Sequence, residues 1–196
     1  MKPMLWMALV LGLGLVLFFD GNGAALPPGV IVAESPVQHK EDLPQPFVFR
    51  GYTLTPLAHF EIRARVLSRK RYRTGRESEL SPLDLALGWG PMSDSAVLEK
   101  IEISQSGRWY RWKTDHLPIP RRALEIHSAN MHLIPGEGGV ERAMLAARKG
   151  DIVRFSGYLV RADASDGWRW ISSLIREDVG DGACEVIFVN DFFQDP

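Results

Sequence analysis

Hydrophobic and polar positions alternate with different periods along this chain, and each change of period marks an element. Residues 4–19 (MLWMALVLGLGLVLFF) form an unbroken apolar run, sixteen residues without a charge. Residues 59–68 (HFEIRARVLS) switch to period two, with Phe60, Ile62, Ala64 and Val66 on one side and Glu61, Arg63, Arg65 and Leu67 on the other. That pattern predicts a strand with one buried face. Ser81-Pro82-Leu83-Asp84 places a capping serine, a proline and an acid ahead of Leu85-Ala86-Leu87 and a stop at Gly88, the signature of a short helix. Ile101 and Ile103, followed by residues 108–113 (RWYRWK), predict two strands turning at Ser106-Gly107.

The second half reads as strand, helix, then three strands. Residues 131–134 are a short apolar run closed by Pro135-Gly136, and Val140, Met144 and Ala147 recur on one helical face before Gly150. Residues 152–160, 168–174 and 184–189 are strand candidates divided by Asp166-Gly167 and by Gly180-Asp181-Gly182, which predicts an antiparallel meander. The expected class is α+β: a mostly antiparallel sheet or partly open barrel with two or three short helices, after an N-terminal transmembrane helix. Gly150-Asp151-Ile152-Val153 leading to Gly157-Tyr158-Leu159-Val160 resembles the barrel strand of OB-type domains, in which a glycine sits where a coiled strand bends.

The opening run decides where the rest of the chain lies. A cleaved signal carries an apolar core of about 7–15 residues and a spanning helix needs about 17–25, so residues 4–19 fall between the two. Gly23, Ala24 and Ala25 offer a cleavage site near Ala25, which would release a secreted or periplasmic product; the length and the Leu, Val and Phe content favour an uncleaved anchor. Lys2 is the only charged side chain before the run, so the positive end stays cytoplasmic on either route and the remainder is exported. Residues 26–46, with Pro27, Pro28, Pro36, Pro44 and Pro46, have the composition of an extended tether. The expected division is therefore 1–25 anchor or signal, 26–46 tether and 47–196 a single globular domain, held by residues 4–19 to the inner membrane with its C-terminal part in the periplasm or outside the cell.

Composition adds limits. Twenty-three Lys and Arg against 24 Asp and Glu leave a net charge of −1, which gives no global attraction to a polyanion. The one basic cluster is Arg63, Arg65, Arg69, Lys70, Arg71, Arg73 and Arg76, read as a solvated strand face and loop; nucleic acid is not the expected partner of an exported domain. Cys184 is the sole cysteine, so no internal disulfide forms.

Standard chemical motifs are missing: there is no Gly-x-Ser-x-Gly elbow, no phosphate loop and no His-Glu-x-x-His. His127 and His132 are five apart, which puts them on opposite sides of a strand and on separate sides of a helix, so no metal is expected and no cofactor. The catalytic candidates are His127, His132, Asp178, Cys184 and Glu185: a cysteine–histidine pair with Asn130 as orienter, or a histidine–carboxylate pair. For ligand binding, Asn130, His132, Arg176 and Asp178 are expected to line one polar groove if the sheet brings residues 127–132 and 172–178 together. Trp168 and Trp170 share a strand face that suits a core or such a groove.

Ser81-Pro82-Leu83-Asp84, Gly88-Trp89-Gly90, Arg108-Trp109-Tyr110, Asn130-Met131-His132-Leu133, Gly157-Tyr158-Leu159-Val160 and Gly182-Ala183-Cys184-Glu185 together resemble an uncharacterised family of bacterial exported proteins with one N-terminal hydrophobic segment. The resemblance implies a bacterial envelope protein and assigns no activity. The expected function is a membrane-tethered envelope domain that binds an envelope protein or a small ligand without catalysis. The alternative is an envelope hydrolase or transferase using Cys184 or a histidine–carboxylate pair.

Overall fold

Strand β3 (Tyr52–Arg71) organises the molecule. Its buried positions alternate as the sequence pattern requires, with Ala58, Phe60, Ile62, Ala64 and Val66 turned into the main core. A computed structural model describes residues 26–175 and 184–195. Ahead of β3 lie two short strands, β1 (Val37–His39) and β2 (Phe47–Phe49), both paired antiparallel to it. After β3 come helix α1 (Glu77–Leu80), strand β4 (Leu83–Gly88), a 3-10 turn at Gly90–Ser93, helix α2 (Ser95–Leu98), a hairpin of β5 (Glu102–Ser106) and β6 (Trp109–Lys113), and helix α3 (Arg121–Ile126). The chain continues through β7 (Ser128–Pro135), α4 (Gly138–Ala146), β8 (Ile152–Asp163), β9 (Arg169–Ile171) and β10 (Glu185–Gln194). The described residues, mostly sheet with four short α-helices, are α+β.

The pairings close on themselves. β3 pairs β4, β4 pairs β7, β7 pairs β10, β10 pairs β8, and β8 returns to β3 along twelve register positions from Thr53↔Asp163 to Arg65↔Ile152. All are antiparallel except β7–β10, which runs parallel from Met131↔Glu185 to Pro135↔Val189. Leu83, Leu85, Leu87, Met131, Leu133, Phe155, Leu159, Ile187 and Val189 fill the space inside, and Val140, Met144 and Ala147 of the α4 region cover it. Irregular register at Pro56/Ala58 and Val66/Ser68 lets one twenty-residue strand bend round the ring. Where β8 crosses β10, a Cβ on Gly157 would collide with the backbone carbonyl of Phe188, so only glycine fits that crossing.

Three sequence expectations are corrected here. Leu83–Gly88 is a strand, not a helix: every one of its residues is buried because the barrel lies on one side and residues 89–127 cover the other, so the run has no polar alternation to mark it. The capping signal belongs to a turn in which Ser81 Oγ donates to the Leu83 carbonyl, just after the true helix α1. The last three strands are not a simple meander either. β9 and β10 occupy successive stretches of one edge of β8, and β10 then pairs with β7 in parallel, a long-range contact that leaves no local trace. Third, residues 26–46 run along the domain instead of away from it. Val32 is 0% exposed in the main core, its carbonyl accepts from Gly90 N at 2.7 Å, and Ser93 Oγ accepts from the Val32 amide at 3.0 Å. The proline content does keep most of this stretch out of regular structure, but Leu26, the first described residue, already lies against the same core.

The β5–β6 hairpin and α4 stand where their patterns place them. The hairpin turns through Gly107 and Arg108, both with positive φ, 57° and 68°. Among the described residues no helix is long and apolar enough to cross a membrane; residues 4–19, expected as the anchor, lie outside the described residues.

Candidate functional site

Asp84 is a carboxylate in the middle of an apolar strand and is 0% exposed. A charge there requires partners, because an unpaired buried carboxylate is costly by several kcal/mol (order of magnitude). Two are supplied. Arg108, held in the left-handed region at the hairpin turn, reaches down with Nη1 2.7 Å from Asp84 Oδ1, and its Nη2 donates to the Ser81 carbonyl at 2.8 Å. His132, directly across from Asp84 in the β4–β7 register, brings Nδ1 to 2.9 Å from the same oxygen. The two side chains of this cross-strand pair are 0% and 4% exposed, and that of Arg108 is 16% exposed.

The two contacts to Oδ1 differ in kind. Arg108 makes an aligned, charge-assisted hydrogen bond. His132 Nδ1 is within ion-pair distance but off the line a hydrogen bond needs, so Nδ1 and Asp84 Oδ2 both remain without a hydrogen bond. The group is then walled by aromatic rings. The Arg108 guanidinium lies 3.9 Å from the Tyr72 ring centroid and 5.5 Å from that of Trp170, and Trp170 in turn sits 4.9 Å from the His132 ring. The Arg108 amide donates to Tyr72 Oη at 3.0 Å. Burial, and after it the Asp84 charge, raise the Tyr72 phenol above its usual pKa.

A second layer locks the hairpin onto β7. Asn130 Nδ2 donates to the Arg108 carbonyl at 3.1 Å, and its Oδ1 accepts from Gln105 Nε2 at 2.6 Å. Tyr110 Oη is 3.1 Å from Ser128 Oγ; burial pushes this phenol up to about 12 even though the Ser128 contact acts the other way. The β8–β9 turn closes the far side: Arg76 makes a bidentate pair with Asp166 at 2.7 and 2.9 Å, lies 4.9 Å from the Trp168 ring centroid, and its Nε donates to Tyr52 Oη at 3.3 Å. That pair lowers the Asp166 carboxyl to about 2.

The expected ligand-binding residues therefore meet in part. Asn130, His132 and Trp170 share this cluster, and Trp168 adjoins Trp170 with ring centroids 6.2 Å apart. Arg176 and Asp178 lie outside the described residues. Of the expected catalytic residues, His127 and Glu185 stand apart from His132, and Asp178 lies outside the described residues. His127 Nδ1 donates to the Ala123 carbonyl at 2.7 Å and packs against Gly90, a role at the end of α3. Glu185 is in register with Met131, so the pleat turns it to the opposite side of the sheet from His132. Cys184, half-buried before β10, accepts from the Ser173 amide through its carbonyl. Among the described residues no group of three or more His, Cys, Asp and Glu is placed to hold a metal ion.

Of the basic cluster, Arg63 pairs with Asp195, Arg65 donates to the Ser93 carbonyl and to Ser95 Oγ, and Arg69 donates to the Leu145 carbonyl. These cations mostly tie elements together. Asp84 and Arg108, the centre of the site, were not singled out from the sequence. A lone acid inside Leu83-Asp84-Leu85-Ala86-Leu87 was the available signal, since a buried acid demands a cation.

Compared with family models, curated proteins and solved structures, the chain matches none.

Proposed function

We propose that this chain is a membrane-tethered domain of the bacterial envelope, held in the inner membrane by residues 4–19, and that it serves as a non-enzymatic binding module on an OB-like barrel. The pairing order β3, β4, β7, β10, β8, with α4 between the third and fourth strands in sequence, supports the OB-like reading. Barrels of this type take ligands beside the loops that follow their first and fourth strands. Here those are residues 72–82 and the segment after β8, and the Arg76–Asp166 pair joins them.

The observation that carries the proposal is a shallow concavity of about 650 Å³ at this junction, lined by Tyr52, Arg73, Thr74, Ser78 and Glu79. Its hydroxyls, carboxylate and guanidinium suit a hydroxyl-rich envelope ligand such as a cell-wall glycan fragment. The Asp84–Arg108–His132 group fixes the hairpin and packs on Trp170, which is linked through Trp168 to Arg76 at the edge of the concavity.

Nuclear magnetic resonance titration of the isotope-labelled full chain in micelles with solubilised glycan fragments tests this. Shifts concentrated at residues 73–79 and at the Trp168 indole are expected; unmoved resonances there overturn the binding surface. Alkaline phosphatase fused to the C-terminus is expected to be active, and activity only for a cytosolic reporter overturns the localisation.

The 2.9 Å approach of His132 to Asp84 favours a second reading, an envelope hydrolase using that histidine–carboxylate pair. It predicts glycan cleavage that His132→Gln abolishes. Binding without turnover decides for the module.

A further inference from the structure

The stretch that joins the apolar run to the domain is short, and it ends on a particular face. Asp20 follows residues 4–19, and six residue steps separate it from Leu26, a reach of about 20 Å at full extension. From Leu26 onward the chain is bound. The Leu26 carbonyl accepts from Ser95 Oγ at 2.8 Å, the Gly29 amide donates to Asp94, and Ser95 Oγ also accepts from Arg65 Nη1 at 2.8 Å. There is no slack of twenty residues, so the face around Leu26 lies within that reach of whatever holds residues 4–19.

This face is cationic. Val66, one residue along β3 from Arg65, exchanges backbone hydrogen bonds with Gly150 and Asp151, which places the exposed Arg148 and Lys149 beside the attachment point. Arg69 reaches the α4 C-terminus at the Leu145 carbonyl, and its guanidinium is held below its usual pKa by burial and then by Arg71 and Arg148, so these cations crowd one another. The nearby acids are engaged by backbone amides: Asp94 accepts from the Gly29 and Ala96 amides, and Asp151, which offsets part of the repulsion felt by Arg69, accepts from the Arg148 amide. Arg71, Arg148 and Lys149 form no ion pair with a described residue.

We infer that the domain rests directly on the bilayer by this face, with Arg69, Arg71, Arg148 and Lys149 binding anionic phospholipid headgroups. The inference rests on reading residues 4–19 as a membrane segment. Each juxtamembrane cation raises affinity for an anionic surface about fivefold, so the patch is strong enough to orient a domain already confined there.

The test uses the full chain with Cys184→Ser, reconstituted into bilayer discs whose headgroups carry an energy-transfer acceptor. A donor goes on Ala146→Cys, exposed at the end of α4, or on Ser165→Cys, exposed beyond the other end of β8, roughly 36 Å away along the strand. In discs containing phosphatidylglycerol, transfer from residue 146 is expected to exceed that from residue 165 several-fold. The excess should vanish in pure phosphatidylcholine and in an Arg71→Gln/Arg148→Gln/Lys149→Gln variant whose circular dichroism and melting are unchanged. Equal transfer from both positions in phosphatidylglycerol discs, in a chain that floats with vesicles, overturns the orientation alone. A chain that fails to float overturns the anchor and the orientation with it.

Discussion

Asp84 and His132 face each other across β4 and β7 with 2.9 Å between Oδ1 and Nδ1, and the same oxygen accepts the Arg108 hydrogen bond at 2.7 Å. One buried carboxylate thus serves two basic side chains from different elements. Arg108 comes from the hairpin, so the ion pair fastens an insertion of the barrel to the barrel wall.

Removing the carboxylate leaves Arg108 facing a low-dielectric surface without its counter-charge. Asp84→Ala is expected to lower stability by about 3–5 kcal/mol, the usual cost of breaking a buried pair on one side. Urea unfolding followed by tryptophan fluorescence measures it. Because Asp84 anchors the hairpin, Asp84→Ala combined with Arg108→Met should recover part of the loss; a double variant no better than the single one excludes an unpaired guanidinium as the cause.

The Arg76–Asp166 pair ties the loop after β3 to the β8–β9 turn, and its effect has a pH sign. Hydrogen bonds from Arg76, then from the Trp168 amide, lower the Asp166 carboxyl from 3.8 to about 2. A depressed folded-state pKa contributes stability that is present above the unfolded value and is lost as pH falls through the folded one. The contact is therefore expected to hold at pH 5 and to loosen between roughly pH 4 and pH 2. Trp168, stacked on Arg76, reports this by fluorescence, and Asp166→Asn should remove the transition.

At the crossing of β8 and β10 the backbones leave no volume for a side chain. Gly157→Ala is expected to destabilise the barrel by about 3 kcal/mol, at the upper end for overpacking, since the obstacle is the Phe188 carbonyl and not a movable side chain. Thermal melting compares it with Gly167→Ala, whose added Cβ meets nothing within 4 Å but whose φ of +89° carries a backbone cost alone.

How far the sequence was readable depends on what covers each element. The outer positions of β3 are polar over residues 59–66, so its alternation survives in the sequence, and the Gly107 turn and the Val140–Met144–Ala147 face are local signals of the same sort. β4 is covered on both sides and loses its period, which is why capping residues before it misled. The parallel β7–β10 pairing joins residues more than fifty positions apart and has no local signature. Asn130, His132 and Trp170 stood out as polar or aromatic residues in strand contexts and do converge. Asp84 was concealed inside the misread helix, and Arg108 among the aromatics of the hairpin.

The burial of Val32 has a mechanical side. Since the Val32 side chain sits in the barrel core and its carbonyl is fastened to Gly90, a pull on the N-terminal end is delivered straight to the root of β4 without first taking up slack. Tension applied at the N-terminal end would strain the interior itself, and a cut that is to leave the body whole must fall upstream of Leu26.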